Sequence, residues 1–146
     1  MNRDVRLRAL SRDHHHALAL ARFIAAIDLR SALDTDVVKL VQERFDTEIV
    51  PHFHIEEILL RALEGRGVDE LVQRTRDEHA RMTELVVAAT PSDASPLCEL
   101  SRRLIDHVRF EERELYPACE THLPAEVLDQ VADAHEAHHA PEEGAA

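Results

Sequence analysis

The sequence predicts an all-α protein, an up-down-up-down four-helix bundle with a short fifth helix at its C-terminal end. Three observations carry that expectation. Only 3 of the 146 residues are glycine, too few for the many tight turns of a β-rich fold. Ala, Leu, Glu and Arg, all good helix formers, dominate the composition. Apolar residues recur at alternating steps of three and four along four long segments, the period of an amphipathic helix. Long helices joined by short loops pack most simply as antiparallel neighbours.

The first helix is expected from about Asp4 to Arg30. The second runs from about Asp34 to Glu64 and stops at Gly65-Arg66-Gly67, with Pro51 inside it to kink or split it. The third spans about Val68 to Ala89, and Thr90 to Pro96 is the most loop-like stretch of the chain. The fourth follows from about Pro96 to Thr121, with Pro117 near its end. Pro124 opens a short fifth helix to about His138, and Pro141 to Ala146 reads as a frayed tail. Residues 1–140 are thus read as one bundle domain and 141–146 as a flexible extension.

Charge and composition exclude several classes of partner. The formal net charge of -12 repels nucleic acid and anionic membrane surfaces. The most apolar stretch, Ala17 to Leu29, is interrupted by Arg22 and Asp28 and is too short to span a bilayer. The charged start, Met1 to Arg6, has no apolar signal core, and the cytoplasm is the expected location. Cys98 and Cys119 fall about 21 residues apart on one helix, hence roughly 30 Å, too far to bridge; they read as core or surface thiols.

The informative positions are ionisable residues on the apolar seams. His52 has Phe45, Ile49, Ile55 and Leu60 at seam spacing, and His107 has Leu100, Leu104, Phe110 and Leu115 at the same offsets. Each histidine is followed four residues later by a glutamate, Glu56 and Glu111, on the same helical face. Burying an unpaired carboxylate costs several kcal/mol, and two facing carboxylates repel as well. A dication between them removes both penalties and takes neutral imidazole as a ligand. His79 sits on the core side of the third helix, with Leu71, Val72, Met82, Leu85 and Val86 at seam spacing. In the first helix, Asp13 precedes three histidines. His14 shares the seam of Leu7, Leu10, Leu18, Ala21 and Ala25, His15 lies near Leu18, and His16 shares a face with Leu20, Phe23 and Ile27. His14 is preferred, with His15 next. The candidate metal ligands are therefore His14, His52, Glu56, His79, His107 and Glu111, four imidazoles and two carboxylates, enough for two metals with bridging glutamates.

The chain resembles a hemerythrin-like domain of the His-His-Glu cation-binding type over residues 5 to 122. The resemblance rests on His52-Phe53-His54-Ile55-Glu56-Glu57, on His107-Val108-Arg109-Phe110-Glu111-Glu112 with Leu115-Tyr116-Pro117 after it, and on Leu10 to His15. It implies a four-helix bundle with a non-haem di-iron centre that binds or senses oxygen, nitric oxide, peroxide or iron. Oxygen-carrying members place two histidines four residues apart on the third helix and end with His-x4-Asp. Here Thr75 and Thr83 flank His79 at that spacing, and the fourth helix carries His-x3-Glu. More oxygen ligation favours harder, higher-valent metal and weakens the case for reversible oxygen carriage.

The expected cofactor is two iron ions, with manganese or zinc as alternatives, and the expected partner is a small diatomic ligand or peroxide. A di-iron oxidoreductase turning over peroxide or nitric oxide, and a zinc-binding or structural bundle, are the rival readings. Glu57 and Glu112 are expected on a solvated face, with orientation of the ligands as the alternative. Tyr116 is expected in the core with a local partner, with reach to the site from the following turns as the alternative, and His54 at the surface. His135-Glu136-Ala137-His138-His139 matches the H-E-x-x-H zinc signature but lies close to the C-terminus, and a solvated tail is the expectation, with a loosely metal-binding tail as the alternative.

Overall fold

The computed structural model describes residues 2–27 and 35–139. They form α1 (Arg8–Ala26), α2 (residues 35–63), α3 (Asp69–Ala88), α4 (residues 95–122) and α5 (Ala125–His139). The all-α fold expected from the sequence is the fold observed. Among the described residues the β-type pairing is a single bridge between Thr90 and Asp93 in the α3–α4 loop. No helix of these residues is long and apolar enough to cross a membrane.

The helix ends differ in detail from expectation. α1 starts at Arg8, not Asp4, because the Asp4 carboxylate accepts the Arg6 backbone N–H at 2.9 Å and holds a turn there. α1 ends at Ala26, with Ile27 already extended at ψ 134°. The rest of the expected first helix, the start of the second at Asp34, and the tail from Pro141 lie outside the described residues. Gly65 and Gly67 take φ of 74° and 87°, the left-handed region that ends α2 cleanly.

Neither internal proline breaks its helix. α2 carries a π-helical turn at Phe45–Ile49 and α4 one at Glu111–Leu115. The closing N–H groups, those of Val50 and Tyr116, reach back to the carbonyls of Phe45 and Glu111, and a proline follows each at once. A proline ring collides with the carbonyl four residues earlier in α geometry. Widening the preceding turn moves that carbonyl aside, so the helix continues without a break.

The core is divided. One apolar cluster gathers Leu20, Ile24, Val41, Phe45, Met82, Leu97 and Leu100. The other gathers Leu7, Leu10, Leu59, Leu60, Val72, Leu115 and Leu128. α1 and α3 enter at the second cluster and leave at the first, whereas α2 and α4 run the opposite way. That alternation is the up-down-up-down order. Between the clusters lies a belt of polar side chains, buried because every helix passes through it. α5 lays Leu128 and Val131 on the end of α2, adding to the second cluster.

Candidate metal centre

Each of the four long helices crosses the belt with an imidazole on its seam. His14 lies between Leu10 and Ala17, His52 between Ile49 and Ile55, His79 between Val72 and Met82, and His107 between Leu104 and Phe110. The i, i+4 spacing then places Glu56 one turn from His52 and Glu111 one turn from His107. Both carboxylates are completely buried, and the imidazole side chains are 4% to 12% exposed.

The two carboxylates lie between two pairs of imidazoles, and each turns one oxygen toward each pair. Glu111 Oε1 is 2.8 Å from His14 Nε2 and 3.8 Å from His52 Nε2. Its Oε2 is 3.2 Å from His107 Nε2 and 3.7 Å from His79 Nε2. Glu56 Oε2 is 3.3 Å from His52 Nε2, and its Oε1 is 3.2 Å from His79 Nε2. Two groups result, His14 with His52 and His79 with His107, and both share Glu56 and Glu111. In each group the donor atoms lie within 4.8 Å of one another, close enough to hold one metal ion.

These contacts are short but poorly aligned. The Nε2 atoms of His52, His79 and His107, with Glu56 Oε1 and Glu111 Oε2, are buried without a hydrogen bond. Buried polar atoms normally find partners. Five that instead face one another across the two groups are what a donor set around two cations requires.

Outer carboxylates fix the rings. His52 Nδ1 donates to Asp13 at 3.0 Å, His107 Nδ1 to Glu78 at 2.7 Å, and His14 Nδ1 to Glu112 at 2.9 Å. All three acids are held below their ordinary carboxylate range. Burial opposes this, and hydrogen bonds from His52, His107 and His14 respectively outweigh it. An ionised carboxylate only accepts, so each Nδ1 carries its proton and Nε2 is left facing inward. Arg3 in turn grips Glu112 through its carbonyl at 2.8 Å and its Oε2 at 3.1 Å.

The buried carboxylates favour the protonated form of the imidazoles around them. Burial alone would lower the His107 pKa, but Glu111, and then Glu78, raise it to about 10. His14, His52 and His79 are likewise raised against the effect of burial, chiefly by Glu111 for His14 and His79 and by Glu56 for His52. Burial pushes Glu111 up, yet the His107 charge and further hydrogen bonds hold it well below the ordinary range.

Aromatic rings close two sides. Phe53 stacks on His79 with centroids 3.8 Å apart, and Tyr116 lies parallel to His14 at 5.4 Å. Tyr116 Oη donates to Glu56 Oε2 at 2.9 Å and lies 3.2 Å from His14 Nε2. Burial, then Glu56 and Glu111, raise its pKa well above the ordinary value, so it stays a phenol.

All six sequence candidates meet in this belt, whereas His15, His16 and His54 are exposed. Other expectations need correcting. Tyr116 reaches the cluster instead of a local partner, because the π turn begins at Glu111 and carries Tyr116 onto the same side. Glu112 holds His14 and is not on a solvated face. Glu57 pairs with Arg76 at 2.7 Å, away from the cluster. Asp13 and Glu78, which no seam pattern marks, are partners of the rings. The available signal is an acid directly before the seam histidine of α1 and of α3, Asp13-His14 and Glu78-His79. Finally, His135 is not solvated: its Nε2 lies 2.9 Å from Asp13 Oδ2.

No curated protein and no solved structure matches the chain. The family model for the Hemerythrin HHE cation binding domain matches residues 5–119. That span takes in α1 to α3, α4 as far as Cys119 and every residue of the buried cluster, and the chain belongs to the hemerythrin HHE cation-binding family.

Proposed function

We propose that the cluster holds two iron ions and that the protein binds oxygen, nitric oxide or peroxide there. The observation that supports this most is the pair of carboxylates with an oxygen toward each imidazole pair, every inward nitrogen but that of His14 lacking a hydrogen bond. His14 and His52 would hold one ion, His79 and His107 the other, and Glu56 and Glu111 would bridge them. Imidazole and carboxylate donors suit iron, with manganese and zinc as the competing choices. When bound, the ions supply Lewis acidity and a redox reservoir for a small ligand. Four protein donors per ion leave positions for such a ligand at a six-coordinate metal.

The chain's own part is to orient and to exclude. Asp13, Glu78 and Glu112 fix the rings through Nδ1. Phe53 and Tyr116 wall the site, and burial of five of the six donors, with His79 partly buried, restricts entry to ligands of a few atoms. Tyr116 keeps a proton on Oη at hydrogen-bonding distance from Glu56. That proton favours a second reading, turnover of peroxide or nitric oxide with an external reductant, since such reactions consume protons.

Elemental analysis of untagged protein, with an absorption spectrum, tests the first reading. Two irons per chain are expected, with near-ultraviolet charge-transfer bands that shift on adding azide. An unchanged iron content in both His52→Ala and His107→Ala variants would overturn it. Steady-state loss of peroxide or nitric oxide, as against stoichiometric binding, separates the second reading from the first.

A further inference from the structure

We propose a second cation site, outside the buried cluster, in which Asp13, His135 and His139 hold one divalent transition-metal ion and tie the end of α5 to α1. His135 and His139 are four residues apart on α5 and therefore share one face. Their rings lie side by side, with centroids 4.3 Å apart. Both turn Nε2 toward the same carboxylate: His135 is 2.9 Å from Asp13 Oδ2 and His139 is 4.0 Å from Oδ1. The three donors lie within 4.8 Å of one another. An ion with ligand bonds of about 2.0–2.2 Å sets its donors roughly 3–4 Å apart.

A second feature points to the same place. A small cavity of about 70 Å³ adjoins the cluster, lined by Asp13, Glu48, His52 and His139 among others. Glu48, from α2, also lines it; its Oε2 is buried without a hydrogen bond and forms an ion pair with Arg44 Nη2 at 3.6 Å. The cavity has room for a coordinated water and presents a second carboxylate to fix it. Two imidazoles, one carboxylate and water make a donor set that zinc or another first-row dication accepts.

The chain's H-E-x-x-H stretch thereby acquires a role unlike that of a protease. Its two histidines are used, but Glu136 between them is exposed, and the third donor comes from α1. Asp13 also accepts from His52, so one carboxylate borders both sites.

The test is cobalt or zinc titration of the full, untagged, metal-free chain, with content read by elemental analysis. The parent is expected to bind one equivalent more than the His135→Ala/His139→Ala double variant, whatever the buried cluster holds. His138→Ala should keep that equivalent. The His52→Ala/His107→Ala pair reports on the buried cluster separately, so failure of one site is distinguishable from failure of the other. In hydrogen exchange, added zinc should slow the amides of the last turn of α5 at least about tenfold in the parent and not in the double variant. Equal metal content in parent and double variant, or zinc binding with no protection of α5, would overturn the proposal.

Discussion

Glu78 holds His107 through a 2.7 Å bond to Nδ1, although the two residues lie on different helices and Glu78 immediately precedes His79. Asp13 does the same for His52 from the position before His14. Each helix that brings a lone imidazole thus also brings the acid that orients its neighbour's imidazole. α1 supports α2, and α3 supports α4.

This arrangement predicts that Glu78→Ala weakens metal binding by about 10–100-fold, the usual effect of losing a carboxylate that orients a ligand histidine. Glu57→Ala should leave affinity unchanged, because Glu57 is engaged with Arg76. Competition with a coloured chelator measures both. Equal losses in the two variants would remove the orienting role of Glu78.

The metal-free protein should lose stability as the pH rises. The folded His107 pKa lies at about 10, above the ordinary 6.5, so its stabilising charge is fully present below pH 6.5 and gone above about 10. His14, His52 and His79 act in the same direction. Metal binding needs these rings neutral and tightens as protons leave. Calorimetry with and without iron should therefore show the two Tm curves diverging from pH 6.5 upward. A metal-free Tm that rises through that window contradicts the charge assignment.

Removing one imidazole should harm the metal-free fold more than an ordinary surface change. His107→Ala leaves Glu111 buried with one cation fewer, and breaking such a pair costs about 3–5 kcal/mol. Changing Glu111→Gln in the same chain should recover part of that loss while abolishing metal binding. Urea unfolding of the single and double variants provides the comparison.

Tyr116→Phe should preserve the parallel ring on His14 and remove the 2.9 Å bond to Glu56. The expected loss is about 1–3 kcal/mol in the metal-free protein, from leaving a buried carboxylate short of a donor. If Tyr116 supplies a proton during turnover, peroxide consumption falls in this variant while iron content stays constant. Falling iron content would make its role structural.

The two apolar clusters offer a separate control. Leu100→Ala and Leu60→Ala, one in each cluster, should each lower stability by about 2–5 kcal/mol. Neither supplies a donor atom to the belt, so metal stoichiometry should hold. Denaturant unfolding and metal analysis on the same samples check this.

The sequence reveals the fold class and the six belt residues for one reason: ionisable groups on an otherwise apolar seam are conspicuous. His14 stands out by the same logic, since His15 and His16 fall on exposed faces of α1. What escapes a single-helix reading depends on neighbours. Asp13, Glu78 and Glu112 are ordinary charged residues on their own helices, and their roles appear only where a second helix brings a ring within about 3 Å. Pro51 and Pro117 signal an interruption, but a wide turn and a break look alike in sequence. Tyr116 and His135 meet partners 60 and 122 residues away, which the pattern of one helix does not reveal.

The direct pairing of imidazoles with Glu56 and Glu111 also bears on biogenesis. A chain that carries its own countercharge can finish folding before any cation arrives. A cation held there would then enter a finished vessel by exchanging for protons, with synthesis first and loading second.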